Sequence, residues 1–250
     1  MFDPLIIAAV IATFVLAGLV KGIIGLGLPT VSLAALTVII DMPTAMAVLL
    51  VPSFVTNLWQ AAVGGHGLAI LGRIWPFLLP ATLTVWLGAE ALTRLDPPYL
   101  AALLGLLLVI YGAAGLAGLR LAVPPRHEAW AGPLTGAANG LLTGMTGSFV
   151  VPGVMYLQGL GLSRDQLVQA MGITFTASTL ALGLALRGNA LLSLEQVQMS
   201  TAALPPALLG MALGQRIRKN LPETIFRRIF FTALLVLGLY IIANAMAGMA

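Results

Sequence analysis

Residues 100–119 read LAALLGLLLVIYGAAGLAGL, from Leu100 to Leu119, without one charged side chain. A helix of this length rises about 30 Å, which is the thickness of a bilayer's hydrocarbon core. The stretch is apolar on every face, whereas an amphipathic surface helix carries a polar stripe. A membrane barrel strand would instead alternate polar and apolar positions over about ten residues. Residues 229–249 have the same character. Lipid leaves no water to pair with backbone N–H and C=O groups, so such segments read as membrane-spanning helices.

Composition extends this reading to the whole chain. Of 250 residues, 60% are hydrophobic and 8% are charged, and the mean hydropathy is +1.04. A soluble domain is about 45–50% apolar and about 25% charged, so a water-soluble globule is excluded. The formal charge of +4 fits basic loops retained on the cytoplasmic side of a membrane better than a nucleic-acid surface. The chain has no cysteine, which excludes disulfides, thiol chemistry and Cys-ligated metal. Met1-Phe2-Asp3-Pro4 lacks a basic leader region, so the first apolar segment is expected to stay as a span.

Charges and prolines divide the chain into eight apolar segments: 5–40, 43–63, 74–93, 98–119, 130–160, 165–186, 196–215 and 224–248. The expected fold is all-α and polytopic, with about eight transmembrane helices in two tandem four-helix repeats. Residues 1–119 form the first repeat, 120–129 a linker with Pro124, Pro125 and His127, and 130–250 the second. The repeat appears when residue 18 is placed on residue 136. Gly18-x-x-Lys21-Gly22 then lies over Gly136-x-x-Asn139-Gly140. Further on, Ser53-Phe54-x-x-Asn57 matches Thr174-Phe175-x-x-Ser178, and Gly88 matches Gly214. The shared order over about 110 residues carries the inference more than any single match. An even number of spans per half gives parallel halves. An inverted pair requires 5–40 and 130–160 each to cross twice.

Loop charge sets the orientation. One side holds Arg94, Arg164, Arg216, Arg218, Lys219, Arg227 and Arg228, and the other holds Arg73, Arg120, Arg126 and Arg187. The cluster at 216–228 is therefore expected in the cytoplasm and both termini outside it.

Residues 5–40 would make a straight helix of about 54 Å, far longer than the hydrocarbon core. Gly22, Gly25, Gly27 and Pro29 interrupt its middle. Gly140, Gly144, Gly147 and Pro152 do the same in the second half, with Thr143, Thr146 and Ser148 as added hydroxyls. Broken helices at membrane depth survive only against protein or a polar cavity, and transporters use them to hold substrate. Close helix packing is the plainer explanation of the same glycines. The two breaks are expected to face one another across a central cavity. Lys21 heads the first break. An ammonium inside a membrane marks a functional site unless the side chain snorkels to an interface. Asn139 is its uncharged counterpart in this register. Asn57 and Gln60, with Thr174, Thr176, Ser178 and Thr179, are the other intramembrane polar groups, expected to wall a cavity or to bond helix to helix.

Other charges read as structural. Glu90 and Arg94 form an i,i+4 pair, and Asp41, Asp96, Asp165, Glu195 and Glu223 lie in or beside loops. His66 and His127 are isolated, so no metal site is indicated. Gly25-Leu26-Gly27 lies within a span rather than after a strand, which removes a nucleotide-binding reading.

Gly18-x-x-Lys21-Gly22-x-x-Gly25-Leu26-Gly27-x-Pro29, with Asn139-Gly140-Leu141-Leu142-Thr143-Gly144-Met145-Thr146-Gly147-x-x-x-x-Pro152 opening the second half, resembles the sulfite exporter TauE/SafE family. Gly27-Leu28-Pro29 stands where many members carry three consecutive glycines. The resemblance covers essentially the whole chain. It implies a permease-like protein for small anions, notably sulfite, sulfonates or sulfoacetate.

The expected function is therefore secondary transport, as an exporter, in a bacterial inner membrane. A passive anion channel or a small-carboxylate permease is the alternative on the same scaffold. No cofactor is expected, and no catalytic constellation indicates an enzyme. The expected partners are a small anion, the lipid bilayer, a coupling proton or sodium ion, and a second copy in a homo-oligomer. The expected substrate contacts are Lys21, Gly22, Gly25, Gly27, Asn57, Asn139, Gly140, Thr143, Gly144, Thr146, Gly147, Ser148 and Ser178.

Overall fold

A computed structural model describes residues 3–119, 121–218 and 223–248. Within them the regular structure is helical throughout. In chain order the helices begin with α1 (Pro4–Ile24), α2 (Leu28–Leu36), α3 (Met42–Val48) and α4 (Leu50–Ala62). Next come α5 (Gly67–Leu83), α6 (Val85–Arg94) and α7 (Pro97–Leu116). The second half contributes α8 (Pro125–Thr146), α9 (Gly153–Gly159), α10 (Arg164–Gly188), α11 (Leu194–Ala202), α12 (Leu204–Ile217) and α13 (Glu223–Ala247).

Five of these stretches are long and apolar enough to cross a membrane among the described residues, or up to six if the bent pair α3–α4 is one span. The expected eight are not reached by length and composition. In α11 and α12 the reason is a break at Ala203 ahead of Pro205 and Pro206, since proline removes a backbone donor and disfavours the turn before it. In α8 it is composition, because glycine, threonine and asparagine replace leucine along the helix. That helix also begins at Pro125, inside the stretch read as a linker. Arg120 and Lys219, used in the orientation count, lie outside the described residues.

The chain folds as two compact units. The first comprises Met1–Pro52, Leu95–Leu119 and Ala190–Ala250, and the second Ser53–Arg94 and Arg120–Asn189. Each unit draws on both halves of the sequence. In the first, α1 packs along α12 and α7 along α13. In the second, α8 packs along α5 and α6, and α10 touches all three.

Both units are built on glycine contacts spaced by one helical turn. A Cβ on Gly18 or Gly22 of α1 would press into the carbonyl of Ala207 or Met211 on α12, and one on Gly210 or Gly214 would press into Val15 or Leu19. In the second unit, Gly136, Gly140 and Gly144 of α8 meet the carbonyls of Phe77, Ala81 and Val85. Small residues let backbones approach where lipid offers no hydrophobic drive for helices to associate. Thr84 adds a polar tie, its hydroxyl oxygen lying 2.9 Å from the Pro80 carbonyl and 2.8 Å from that of Ala137.

Candidate functional site

The first break is made by glycine. Helix α1 starts on Pro4 with Asp3 accepting from Leu5 N–H at 2.8 Å. It ends at Gly25, whose φ of 86° is left-handed and whose N–H donates to the Lys21 carbonyl at 2.7 Å. Gly27, at φ 110°, turns the chain into α2 with Pro29 in its first turn. Only glycine adopts such dihedrals without a steric penalty. The second break repeats the device. Helix α8 ends at Gly147, φ 73°, and the Gly147 N–H donates to the Thr143 carbonyl at 2.7 Å. The chain then leaves regular helix until α9 begins after Pro152.

The two helix ends are alike: Lys21 and Thr143 each stand four residues before a left-handed glycine and accept its N–H. Asn139 stands one turn before Thr143.

Lys21 is 4% exposed and sits in the last turn of α1, within the first unit. A side chain that snorkelled to an interface would be exposed at its head. Gly22 beside it packs against α12, while Gly25 and Gly27 shape the turn.

The remaining site residues expected from the sequence, Asn57, Asn139, Gly140, Thr143, Gly144, Thr146, Gly147, Ser148 and Ser178, all belong to the second unit. Several of them brace the break. Asn139 Oδ1 accepts from Gly153 N–H at 2.9 Å, and Thr143 Oγ1 donates to the Ser148 carbonyl at 2.9 Å. Thr146 Oγ1 donates to Leu142 at 2.7 Å and receives the Ser148 N–H at 3.2 Å. A threonine hydroxyl has a single proton, so Thr143 and Thr146 have already committed theirs to the backbone.

Other groups are buried without a hydrogen-bond partner among the described residues. Six of them, Ser53 Oγ, Asn139 Nδ2, Ser148 Oγ, Thr174 Oγ1, Ser178 Oγ and Thr179 Oγ1, lie in the second unit, and Tyr111 Oη lies in the first. A buried unsatisfied polar atom costs about 1–3 kcal/mol, so six in one unit call for an explanation. Packing draws their elements together. Gln169 of α10 reaches the Ala61 carbonyl and the His66 N–H, while Gly172, one turn on, meets Gln60 and Ala61. Gln60 in turn donates to the Val168 carbonyl at 2.7 Å, so residues 60 and 61 of α4 meet α10 over 168–172. Phe149, next to Ser148, packs on Phe175 at 5.7 Å between ring centroids. That contact brings the second break to the part of α10 that carries Thr174 and Ser178. Thr174 therefore joins the expected site residues, and Ser53 is a further buried hydroxyl on α4.

Comparison with known protein families matches residues 10–241 to Sulfite exporter TauE/SafE. The chain belongs to the sulfite exporter TauE/SafE family. The family is one of membrane transporters, and the apolar helices make this chain a multi-pass membrane protein. No curated protein and no solved structure matches it. In this TauE/SafE chain the family's glycine-rich segments are the two helix breaks, and the polar groups gather beside the second of them.

Proposed function

We propose that this protein is a secondary transporter that exports small sulfur-containing anions such as sulfite, a sulfonate or sulfoacetate. The observation that supports it, beside family membership, is the group of buried hydroxyl and amide groups at the second break. Ser53, Ser148, Thr174, Ser178 and Asn139 Nδ2 present hydrogen-bonding atoms that no group among the described residues uses, and Asn57 is buried on α4. Neutral donors hold an oxyanion without the tight grip of several fixed cations, which keeps release fast. Lys21, the buried cation of the first unit, favours anions over cations there. Glycine-capped breaks free backbone groups near the substrate. The protein works in a bacterial inner membrane, with both termini outside the cytoplasm and a proton or sodium gradient as the energy source.

Reconstitution tests this. Proteoliposomes loaded with radiolabelled sulfite should release it with saturable kinetics, and unlabelled sulfite on the opposite side should accelerate exchange. Linear flux without counterflow would mark a passive channel. Flux of small carboxylates alone would move the substrate to that class.

A further inference from the structure

The polar interior of the second unit contains hydroxyls and amides and no ionised group. Its charged and titratable side chains lie elsewhere on the elements packed around it. On α5, Arg73 pairs with Glu128 of α8 at 2.6 Å, and on α6 Glu90 pairs with Arg94. Arg126 and His127 stand in the first turn of α8, Arg164 and Asp165 in the first turn of α10, and Arg187 in its last. His66 precedes α5 and lies 2.6 Å from the Gly64 carbonyl through Nδ1. Tyr156 of α9 stacks on Phe77 at 5.0 Å. Helix α4 carries none. All but Tyr156 are exposed or half-exposed. Among all the described residues, Lys21 is the only Lys, Arg, His, Asp or Glu that is buried. Among its described residues the second unit therefore offers no buried cation, and no buried carboxylate to carry a proton.

We infer that this transporter takes its oxyanion in the singly charged form, so that the proton travels on the substrate rather than on a side chain. The inference rests on the anion-transport reading above. The cost of burying an ion grows with the square of its charge, so a dianion loses about four times the solvation of a monoanion of the same size. With no buried cation among the described residues of the second unit, a second negative charge there would have nothing to balance it. Serine and threonine hydroxyls accept as well as donate. Ser148, Thr174 and Ser178 can thus receive the O–H of hydrogensulfite, which a lining of lysine or arginine could not do. Proton balance follows directly. Hydrogensulfite enters and leaves intact, then dissociates in bulk to sulfite and a proton, so each sulfite exported carries one proton with it.

Calorimetric titration of the purified full-length protein across the second ionisation of sulfite tests this. Three probes are used: sulfite, methanesulfonate and sulfate. On the alkaline side, sulfite affinity should fall about tenfold per pH unit, following the fraction of competent monoanion. Methanesulfonate is singly charged throughout and should hold its affinity. The difference between the two slopes is the readout, because a titrating Lys21 would move both. Sulfate, doubly charged throughout, should bind at least about tenfold more weakly than methanesulfonate. Sulfate binding as tightly as methanesulfonate, or equal slopes for sulfite and methanesulfonate, would overturn this inference and leave anion transport standing. Failure of all three to bind would remove the transport reading together with it.

Discussion

At the residue scale, burial separates side chains that brace the fold from side chains left to meet a substrate. Lys21 and Thr143 occupy equivalent positions one turn before their caps, yet one carries charge and the other closes a hydrogen bond. Lys21→Met keeps the length and removes the charge, so anion flux in proteoliposomes should fall to that of empty vesicles while the protein still folds. Lys21→Arg should retain part of the flux, since the charge persists on a larger planar head. Wild-type flux and selectivity in Lys21→Met would remove Lys21 from anion selection. Thr143→Val acts differently, because it leaves the buried Ser148 carbonyl unpaired. It should cost about 1–3 kcal/mol of stability, seen as a lower midpoint of thermal unfolding in detergent, and Thr143→Ser should restore most of it. The list of polar residues was legible in the sequence. Which of their protons are committed was not, since Thr143 bonds across the break and Asn139 bonds to Gly153, fourteen positions on.

At the element scale, glycine does two separable things. At Gly25 and Gly147 it turns the chain, and at Gly22, Gly140 and Gly144 it lets one backbone rest on another. Gly140→Ala would drive a methyl group into the Ala81 carbonyl of α5. The backbone there has no side chain that can yield, so about 1–3 kcal/mol or more should be lost. Gly72→Ala on the same α5 meets nothing within 4 Å and should be neutral or gain up to about 1 kcal/mol from reduced backbone freedom. Thermal unfolding of the two variants side by side checks the contrast. Equal stability would mean that the α5–α8 contact does not hold the second unit together. The one-turn spacing of these glycines signals close packing in the sequence. The same spacing leaves more than one alignment of 18–29 on 136–152 open in the sequence, because a four-residue slip still puts glycine on the same face.

At the scale of the whole molecule, lipid dictates the composition, and the proposed orientation rests on loop charge. Arg216, Arg218, Arg227 and Arg228 crowd one loop and its flanks, and a basic loop is retained in the cytoplasm. Cysteine placed at Gly248, where an added Cβ meets only backbone carbonyls at 3.6 Å and 3.7 Å, should react with an impermeant thiol reagent from outside intact cells. The cysteine-free background makes that signal unambiguous, and labelling from the cytoplasmic side alone would invert the topology. The compact units are not contiguous stretches of chain. Each of α1 and α8 packs on a helix from the other half of the sequence: α1 on α12, and α8 on α5 and α6.

The sequence by itself determined that the chain lies in a membrane, that it is helical, and that helices break near Gly25–Gly27 and Gly147–Pro152, although Gly140 and Gly144 stay within α8 and the breaks at Leu49, Thr84 and Ala203 were not read from it. Those properties depend on each segment's exchange of water for lipid and on the φ values open to glycine and proline, both of which are local. The tertiary structure alone decided the rest. It assigned α1 to α12 and α8 to α5 and α6. It also showed which buried hydroxyls are bonded and which have no partner among the described residues. The helix pairings depend on contacts between residues scores of positions apart, and no local pattern specifies the partner in such a contact.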